Sequence, residues 1–197
     1  MIKRLFDLFF SILGLIVLSP ILLMIAIWVK WDSEGPVFFR QERVGQFGKT
    51  FYIHKFRTMI VNAEKYGMQI TVSNDSRITR SGFILRRYKL DELPQLIDVF
   101  LGRMSFVGPR PEVPKYVNYY PSSLKEIVLS VKPGITDLAS IEFYDENKLL
   151  GQSSDPEKTY KEKILPIKLQ YCVDYVNKKN LWHDVLIILK TLKVISR

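Results

Sequence analysis

The most constraining feature of this sequence is an apolar segment near its start that is interrupted by a serine and a proline. Residues 8–29 carry no charged side chain, and a helix over them would be roughly 33 Å long, close to the thickness of a bilayer core. A signal peptide has a shorter apolar part that ends at small residues, whereas this segment ends at Trp28 and is followed by Lys30 and Trp31. The segment therefore predicts an element that enters the membrane.

Ser19 and Pro20 lie in the middle of this segment and predict a bend. Pro20 has no N–H to donate to the carbonyl of Ile16, and its ring crowds the same carbonyl. A residue before proline is disfavoured in helical backbone, although the Ser19 hydroxyl can satisfy a freed carbonyl one turn back. The bend would divide the segment into two arms of about 14 to 17 Å, each roughly half the hydrocarbon thickness.

Positive charges stand on both sides of the apolar segment. Lys3 and Arg4 precede it, and Lys30 follows it together with further lysines and arginines. Lysines and arginines that flank a membrane segment usually stay on the cytoplasmic side, so neither end of this segment is expected on the outer side of the membrane. We therefore expect a re-entrant helix-break-helix hairpin over residues 1–31 and one cytosolic domain over residues 32–197. The alternative is an ordinary kinked span with its N-terminus outside.

The composition narrows the chemistry that the chain can perform. Among its 197 residues are 1 cysteine and 2 histidines, which excludes an intrachain disulfide and argues against a multi-histidine metal site or a Ser/His nucleophile. Catalysis would have to rest on carboxylates and cations. The net charge of +9 suggests an anionic partner, which could be nucleic acid, phospholipid or a phosphorylated substrate.

The rest of the sequence predicts a mainly helical domain with a small β element. Asp91 is expected to cap a helix whose first turn contains Pro94. The apolar stripe of the last helix fits either core packing or burial among lipid headgroups. The fold class is therefore α+β, with the membrane hairpin and interfacial amphipathic helices. The predicted strands cover residues 37–41 and 50–56, and the predicted helices cover residues 62–67, 115–120, 122–129, 158–177 and 181–195.

Two adjacent carboxylates, Asp91 and Glu92, are the strongest candidates for catalytic residues. Arg86, Arg87 and Lys89 precede them at a predicted helix start. Helix N-termini attract anions, and their unpaired N–H groups can bind phosphate. Taken alone, however, such a pair is common, and capping with solvation explains it as well.

Cations at strand ends and at glycine- or proline-marked loops suggest a site for phosphate. If residues 51–57 are extended, two of these cations, Lys55 and Arg57, point to the same face. A carboxylate that binds Mg²⁺, with cations on the flanking phosphates, is the minimum apparatus for phosphoryl transfer. The candidate phosphate-binding residues are Lys55, Arg57, Arg77, Arg87 and Arg110.

Several longer motifs match those of one family, in the right order. They are Lys3-Arg4, Ser19-Pro20, Gly35-Pro36-Val37-Phe38, Lys55-Phe56-Arg57-Thr58-Met59, Leu90-Asp91-Glu92-Leu93-Pro94-Gln95-Leu96, Met104-Ser105-Phe106-Val107-Gly108-Pro109-Arg110-Pro111 and Lys132-Pro133-Gly134-Ile135-Thr136. The sequence closely resembles the bacterial sugar transferase family, the monotopic phosphoglycosyl transferases, over most of residues 1–136. With little chain before Lys3, it resembles the minimal catalytic form of that family.

The resemblance implies a mechanism and a set of partners. Asp91 would attack the β-phosphate of a nucleotide sugar, with uridine as the base, to form a covalent aspartyl-phosphosugar and release UMP. Glu92 would ligate Mg²⁺, and a polyprenyl phosphate such as undecaprenyl phosphate would then accept the sugar phosphate and start glycoconjugate assembly. The implied location is the cytoplasmic face of the bacterial inner membrane, among membrane lipid and without nucleic acid. Downstream glycosyltransferases and a homodimer are further partners that the resemblance allows.

Three positions depart from the family pattern. The family usually has glycine and glutamine where this chain has Asp137 and Ser140, and an aspartate is expected at about Cys172, with Asp174 two residues along. Both regions are expected to contact the nucleotide sugar. The departures therefore leave the identity of the sugar open while the reaction type stands.

A non-catalytic function is the alternative hypothesis from another class. A membrane-anchored basic module would bind anionic lipid, nucleic acid or a pathway partner through its positive charge. The clustered carboxylates and the rigid loop Gly108-Pro109-Arg110-Pro111 argue against it, because a binding patch needs neither.

Overall fold

The structure, a computed structural model that describes residues 1–63 and 75–195, is mostly helical with two small sheets. This confirms the α+β class, while part of the predicted helix over residues 62–67 lies outside the described residues. The helices are α1 (Ile2–Asp32), α2 (Arg80–Arg87), α3 (Gln95–Phe100), α4 (Pro114–Val117), α5 (Ser122–Leu129), α6 (Leu138–Glu142), α7 (Glu146–Gly151), α8 (Pro156–Thr159), α9 (Leu165–Lys178) and α10 (Leu181–Ile195). The strands are β1 (Phe38–Val44), β2 (Thr50–Phe56), β3 (Ser105–Val107) and β4 (Gly134–Thr136).

The long helix α1 runs through Ser19 and Pro20 without leaving helical backbone. The predicted break into two separate helices is therefore corrected to one continuous helix. The reason is local: the Ser19 hydroxyl donates a hydrogen bond of 2.7 Å to the carbonyl oxygen of Ile16, the group that Pro20 cannot serve. Of the helices in the described ranges, α1 alone is long and apolar enough to cross a membrane, with a mean hydropathy of 2.8.

Both ends of α1 pack against the rest of the chain. Near its start, the Arg4 guanidinium donates a hydrogen bond of 2.7 Å to the carbonyl oxygen of Val99. Near its end, the Asp32 carboxylate accepts from the N–H and the hydroxyl of Ser81 at 2.9 and 2.8 Å. The middle of the helix around Ser19 is exposed. The helix thus contacts the domain as far as Gly14 on one side and again from Leu22 on the other, and leaves the apolar stretch around Ser19 uncovered.

β1 and β2 form an antiparallel hairpin around a 3₁₀ turn at Gln46–Gly48, which confirms the two predicted strands. Ile53 and Phe56 are buried in different clusters, Ile53 with Val99 and Met104 and Phe56 with Val29 of α1 and Leu85 of α2. The hairpin therefore ties the end of α1 to the centre of the domain. It also brings Lys55, the residue before Phe56, to the candidate site.

β3 and β4 form a parallel pair that fixes the loop after β3. Ser105 lies opposite Gly134, and Val107 lies opposite Thr136. A Cβ atom on Gly134 would stand 2.1 Å from the backbone nitrogen of Gly108, so only glycine allows this approach. The rigid loop that contains Arg110 starts at this contact.

The C-terminal helices cover the domain on one side. α8, a π-helical turn at Tyr160–Ile164 and α9 follow one another without a loop, which confirms the predicted helix over residues 158–177. In α10, Asp184 and Ile187 are buried, whereas Leu189 and Leu192 are 57% and 60% exposed. Core packing therefore uses only one side of α10, and part of the predicted apolar stripe remains uncovered.

Candidate active site

The two adjacent carboxylates lie in a 3₁₀ turn, Leu90–Glu92, between α2 and α3. This corrects the predicted helix cap: α3 begins at Gln95, after Pro94, and Asp91 belongs to the separate turn before it. Lys89 enters the turn with left-handed backbone (φ 56°) and so reverses the chain between the helices. The turn holds Asp91 and Glu92 at the centre of the domain.

Glu92 is held by two cations from other elements. The ammonium of Lys55, near the end of β2, donates a hydrogen bond of 2.9 Å to Oε1 of Glu92. The Arg110 guanidinium binds the same carboxylate with both of its terminal nitrogens, at 3.0 Å from Nη1 to Oε2 and through Nη2 to Oε1. Burial alone would raise the pKa of Glu92, but the charges of Arg110 and Lys55 outweigh it and hold that pKa well below its usual range.

Asp91 differs from its neighbour in having no hydrogen-bond partner among the described residues. It is 7% exposed, and burial raises the pKa of its carboxyl, against the opposing charges of Lys55, Arg86 and Lys89. A buried carboxylate without hydrogen bonds keeps its oxygen lone pairs available. It is thus the better placed of the two to act as a nucleophile.

Asp91 is also affected by the charges of Arg86 and Lys89. Neither residue was among the candidate phosphate-binding residues. The Arg86 Nε donates a hydrogen bond of 2.8 Å to the hydroxyl of Thr58, which fixes the guanidinium beside the turn. By contrast, the predicted Arg87 is exposed, with its guanidinium carbon 5.6 Å from the ring centre of Tyr88. Helical spacing does not predict that Arg86 and Lys89 act together, because Lys89 lies beyond the end of α2 in left-handed backbone.

Arg57 is a predicted phosphate ligand that the structure directs to another place. Its guanidinium donates to the carbonyl oxygens of Val29 at 3.1 Å and Ser33 at 2.7 Å, and to that of Glu34. The side chain is 4% exposed. These bonds satisfy carbonyls at the end of α1, so Arg57 and Lys55 serve different partners despite their closeness in sequence.

Arg77 likewise binds partners other than the candidate site. Its Nε and Nη2 donate to the two oxygens of Asp75 at 2.8 and 2.5 Å, and Nη1 donates to the carbonyl of Ala63 at 2.8 Å. The candidate residues that the structure brings together are thus Lys55, Asp91, Glu92 and Arg110. The phosphate-binding roles of Arg57, Arg77 and Arg87 stay predictions.

The donor set around Glu92 suits a magnesium ion that arrives with its substrate. The described residues contain no group of three or more His, Cys, Asp or Glu side chains that could hold a metal by itself. Oε1 of Glu92 accepts from Lys55 and Arg110, whereas Oε2 accepts from Arg110 only and keeps a lone pair. Since Mg²⁺ is commonly bound by one or two carboxylates, water and substrate phosphates, Glu92 fits this ion.

The arrangement of these groups is compatible with phosphoryl-transfer chemistry. Asp91 offers an unengaged carboxylate, and Glu92 offers a charge that Lys55 and Arg110 hold in place. Cations from β2, from the end of α2 and from the loop after β3 surround the pair. Without them, a carboxylate could not approach an anionic diphosphate.

Known proteins resemble this chain over nearly all of its length. The profile of the family described as bacterial sugar transferase matches residues 1–197. The chain is 35% identical over 196 residues to the UDP-N-acetylgalactosamine-undecaprenyl-phosphate N-acetylgalactosaminephosphotransferase of Aeromonas hydrophila, which covers 98% of this chain and 43% of the relative. It is 42% identical over 194 residues to the UDP-glucose:undecaprenyl-phosphate glucose-1-phosphate transferase of Xanthomonas campestris pv. campestris, covering 96% and 37%.

A shorter relative shows the same likeness over more of its length. The UDP-glucose:undecaprenyl-phosphate glucose-1-phosphate transferase of Caulobacter vibrioides is 34% identical over 192 residues, which cover 96% of this chain and 68% of the relative. The chain spans less than half of the length of the Aeromonas and Xanthomonas proteins.

Proposed function

Since this chain belongs to the bacterial sugar transferase family, we propose that it transfers a sugar 1-phosphate from a UDP-sugar to undecaprenyl phosphate and releases UMP. The names of its relatives support both substrate classes. The observation that carries the proposal is the contrast between two adjacent carboxylates: Asp91 has no hydrogen bond from the described residues, and Glu92 is held by Lys55 and Arg110. One is available to react and the other is fixed.

In the first step, an ionised oxygen of Asp91 attacks the β-phosphorus of the nucleotide sugar. The bond between this phosphorus and the bridging oxygen breaks, UMP leaves, and the sugar phosphate remains on Asp91 as an acyl phosphate. Lys55, Arg86 and Lys89 oppose the repulsion between the carboxylate and the incoming diphosphate. Burial supports the reaction because a poorly solvated carboxylate is a stronger nucleophile.

Glu92 would hold Mg²⁺ through its remaining lone pair, together with the phosphates of the nucleotide sugar. When bound, this ion neutralises the diphosphate and stabilises the negative charge of the departing UMP. Lys55 and Arg110 keep the Glu92 carboxylate in one orientation and in its ionised form. They would also contact phosphate oxygens that the ion leaves free.

In the second step, a phosphate oxygen of undecaprenyl phosphate attacks the acyl phosphate. The bond between Asp91 and phosphorus breaks, and the sugar becomes attached to the lipid through a diphosphate. A re-entrant path of α1 at the cytoplasmic face of the bacterial inner membrane would hold Asp91 at headgroup depth, where both substrates can reach it. The exposed apolar middle of α1 and its contacts at both ends support this path.

The product of this reaction indicates the class of enzyme that would use it. A lipid-linked sugar diphosphate is a starting unit for a longer glycan, so glycosyltransferases that extend it are the expected next enzymes. In this proposal residues 1–31 are the membrane element and residues 32–197 are the domain that carries Asp91 and Glu92, with α1 itself ending one residue later, at Asp32. The proposed role of the whole chain is therefore the first membrane step of polysaccharide assembly.

The first prediction tests the nucleophile in detergent-solubilised protein. UMP release from a panel of UDP-sugars with undecaprenyl phosphate is measured with Mg²⁺ and after chelation by EDTA. We expect Asp91→Asn to lower the rate at least about 10³-fold, because the amide cannot form the acyl phosphate. Radiolabelled sugar phosphate should be trapped on the wild-type chain and not on the variant.

Asp145→Asn is the matched control, because Asp145 is exposed and makes no side-chain cap bond. Full activity of Asp91→Asn would exclude the covalent mechanism. No turnover of any UDP-sugar by the wild-type chain, with salt-sensitive binding that survives loss of Asp91 and Glu92, would favour the basic binding module.

A further inference from the structure

The folded chain brings together the three positions at which the sequence departs from the pattern expected from its resemblance. Asp137 is the N-cap of α6, Ser140 lies in the first turn of that helix, and Cys172 lies on α9. All three line one cavity that Arg110 also lines. Asp137 and Cys172 are 35 residues apart in sequence, yet they line the same cavity as Arg110, the side chain that holds Glu92.

The carboxylate of Asp137 is buried and fully engaged. It is 3% exposed, Oδ1 accepts a hydrogen bond of 2.6 Å from the N–H of Ser140, and Oδ2 accepts one of 3.1 Å from the N–H of Arg110. The first bond caps α6. The second holds the backbone of Arg110, whose neighbours Pro109 and Pro111 have no N–H to offer.

Cys172 reaches the same carboxylate from the other side. Its sulfur lies 4.0 Å from Oδ2 of Asp137, and the side chain is buried. The carboxylate of an aspartate at position 172 would extend beyond the place of this sulfur, into the space that Asp137 occupies. Two buried carboxylates in contact repel each other, so only one of Asp137 and an aspartate at 172 would be ionised, and burying the second carboxyl would cost stability.

We propose that Asp137 is a positioning residue for Arg110. Positions 137 and 172 together have room for one ionised carboxylate, and in this chain Asp137, at the start of α6, supplies it. In this chain the carboxylate stands at 137 and the neutral cysteine at 172. The effect on catalysis rests on the proposed function, because Asp137 acts through Arg110 on Glu92. The effect on the backbone of Arg110 is independent of the proposed function.

The experiment is a double-mutant cycle with two readouts. The variants are Asp137→Gly, Cys172→Asp and the two combined, with Asp145→Gly as the control because it removes an exposed N-cap aspartate without a side-chain bond. UMP release reports on catalysis. Hydrogen exchange of the peptide 109–111, in which Arg110 carries the sole backbone N–H, reports on positioning without any turnover.

We expect Asp137→Gly to lower UMP release about 10- to 100-fold and to speed exchange at Arg110, because a charge-assisted hydrogen bond is lost. Cys172→Asp alone should lower both the rate and the thermal midpoint, since it buries a second carboxylate. In the combined variant, UMP release and exchange at Arg110 should both return to within about threefold of the wild-type values. Such a recovery would show that positions 137 and 172 are strongly coupled.

Asp137→Asn separates capping from positioning, because its one oxygen can accept from Ser140 or from Arg110 but not from both. We expect a thermal midpoint near that of wild type and a lowered rate. Exchange at Arg110 that is unchanged in Asp137→Gly, or a combined variant no better than Asp137→Gly, would overturn the proposal. If the wild-type chain shows no turnover, the proposed function is overturned. Hydrogen exchange at Arg110 then decides by itself whether Asp137 positions Arg110.

Discussion

At the scale of single residues, the shape of one side chain decides how Glu92 is held. Arg110 presents two nitrogens of a planar fork to the two carboxylate oxygens, while Lys55 presents one ammonium to Oε1. The bidentate contact fixes the plane of the carboxylate as well as its charge. Arginine and lysine are therefore not equivalent at position 110.

Arg110→Lys tests this difference. A lysine keeps the charge but loses one of the paired hydrogen bonds, worth about 1.5 to 3 kcal/mol when a charged group is involved, so we expect UMP release to fall about 10- to 100-fold. The exposed Arg80→Lys is the matched control and should retain the wild-type rate. Equal rates for both variants would show that charge alone is needed at 110.

At the scale of elements, the end of α1 depends on a side chain that follows β2. The last carbonyls of a helix lack partners within the helix. The Arg57 guanidinium, next after β2, donates to the carbonyl oxygens of Val29, Ser33 and Glu34. It therefore closes α1 and joins the helix to the hairpin, a role that its place in a basic motif did not reveal.

Arg57→Lys distinguishes this structural role from the predicted phosphate contact. Because a lysine cannot serve three carbonyls in a plane, we expect a loss of about 1 to 3 kcal/mol in stability, seen as a lower thermal midpoint in detergent. The KM for the UDP-sugar should not change, and Arg80→Lys should melt like wild type. A raised KM with an unchanged midpoint would instead support the phosphate role.

At the scale of the whole molecule, the contacts of α1 bear on how the chain sits in a membrane. The Lys3 ammonium donates to the carbonyl of Val107 at 2.9 Å and to Asp184 at 2.5 Å, while the Asp32 carboxylate at the other end accepts from Ser81. A straight span would carry its two ends to opposite faces, roughly 30 Å apart. Contacts of both ends with one domain favour a path that keeps the two ends of this continuous helix at the same face.

Labelling with a membrane-impermeant thiol reagent tests this path. Ile2→Cys places an exposed thiol at the start of α1, and Lys49→Cys places one near the turn of the β1–β2 hairpin. We expect both to react only after the cells are permeabilised, and the native Cys172 to stay protected because it is buried. Modification of position 2 from outside intact cells, with position 49 protected, would establish a span.

Much of this protein could be predicted from neighbouring residues alone. The charge-free segment at residues 8–29, the turn signals around the two strands and the spacing of the C-terminal helices act over one or two turns of chain. The pair Asp91-Glu92 is likewise a local feature, and the Ser19 hydroxyl repairs the bond lost at Pro20 within a single turn. Such features depend on chain stereochemistry and hydrophobic period, which the sequence contains directly.

The division of roles within the site was decided only by the tertiary structure. Lys55 and Arg57 are two residues apart, yet one binds Glu92 and the other closes α1. Asp137 and Cys172 meet across two helices. Composition shows that cations and carboxylates are present, but which of them pair depends on distances that packing sets, and electrostatic energy in a buried site changes steeply with those distances.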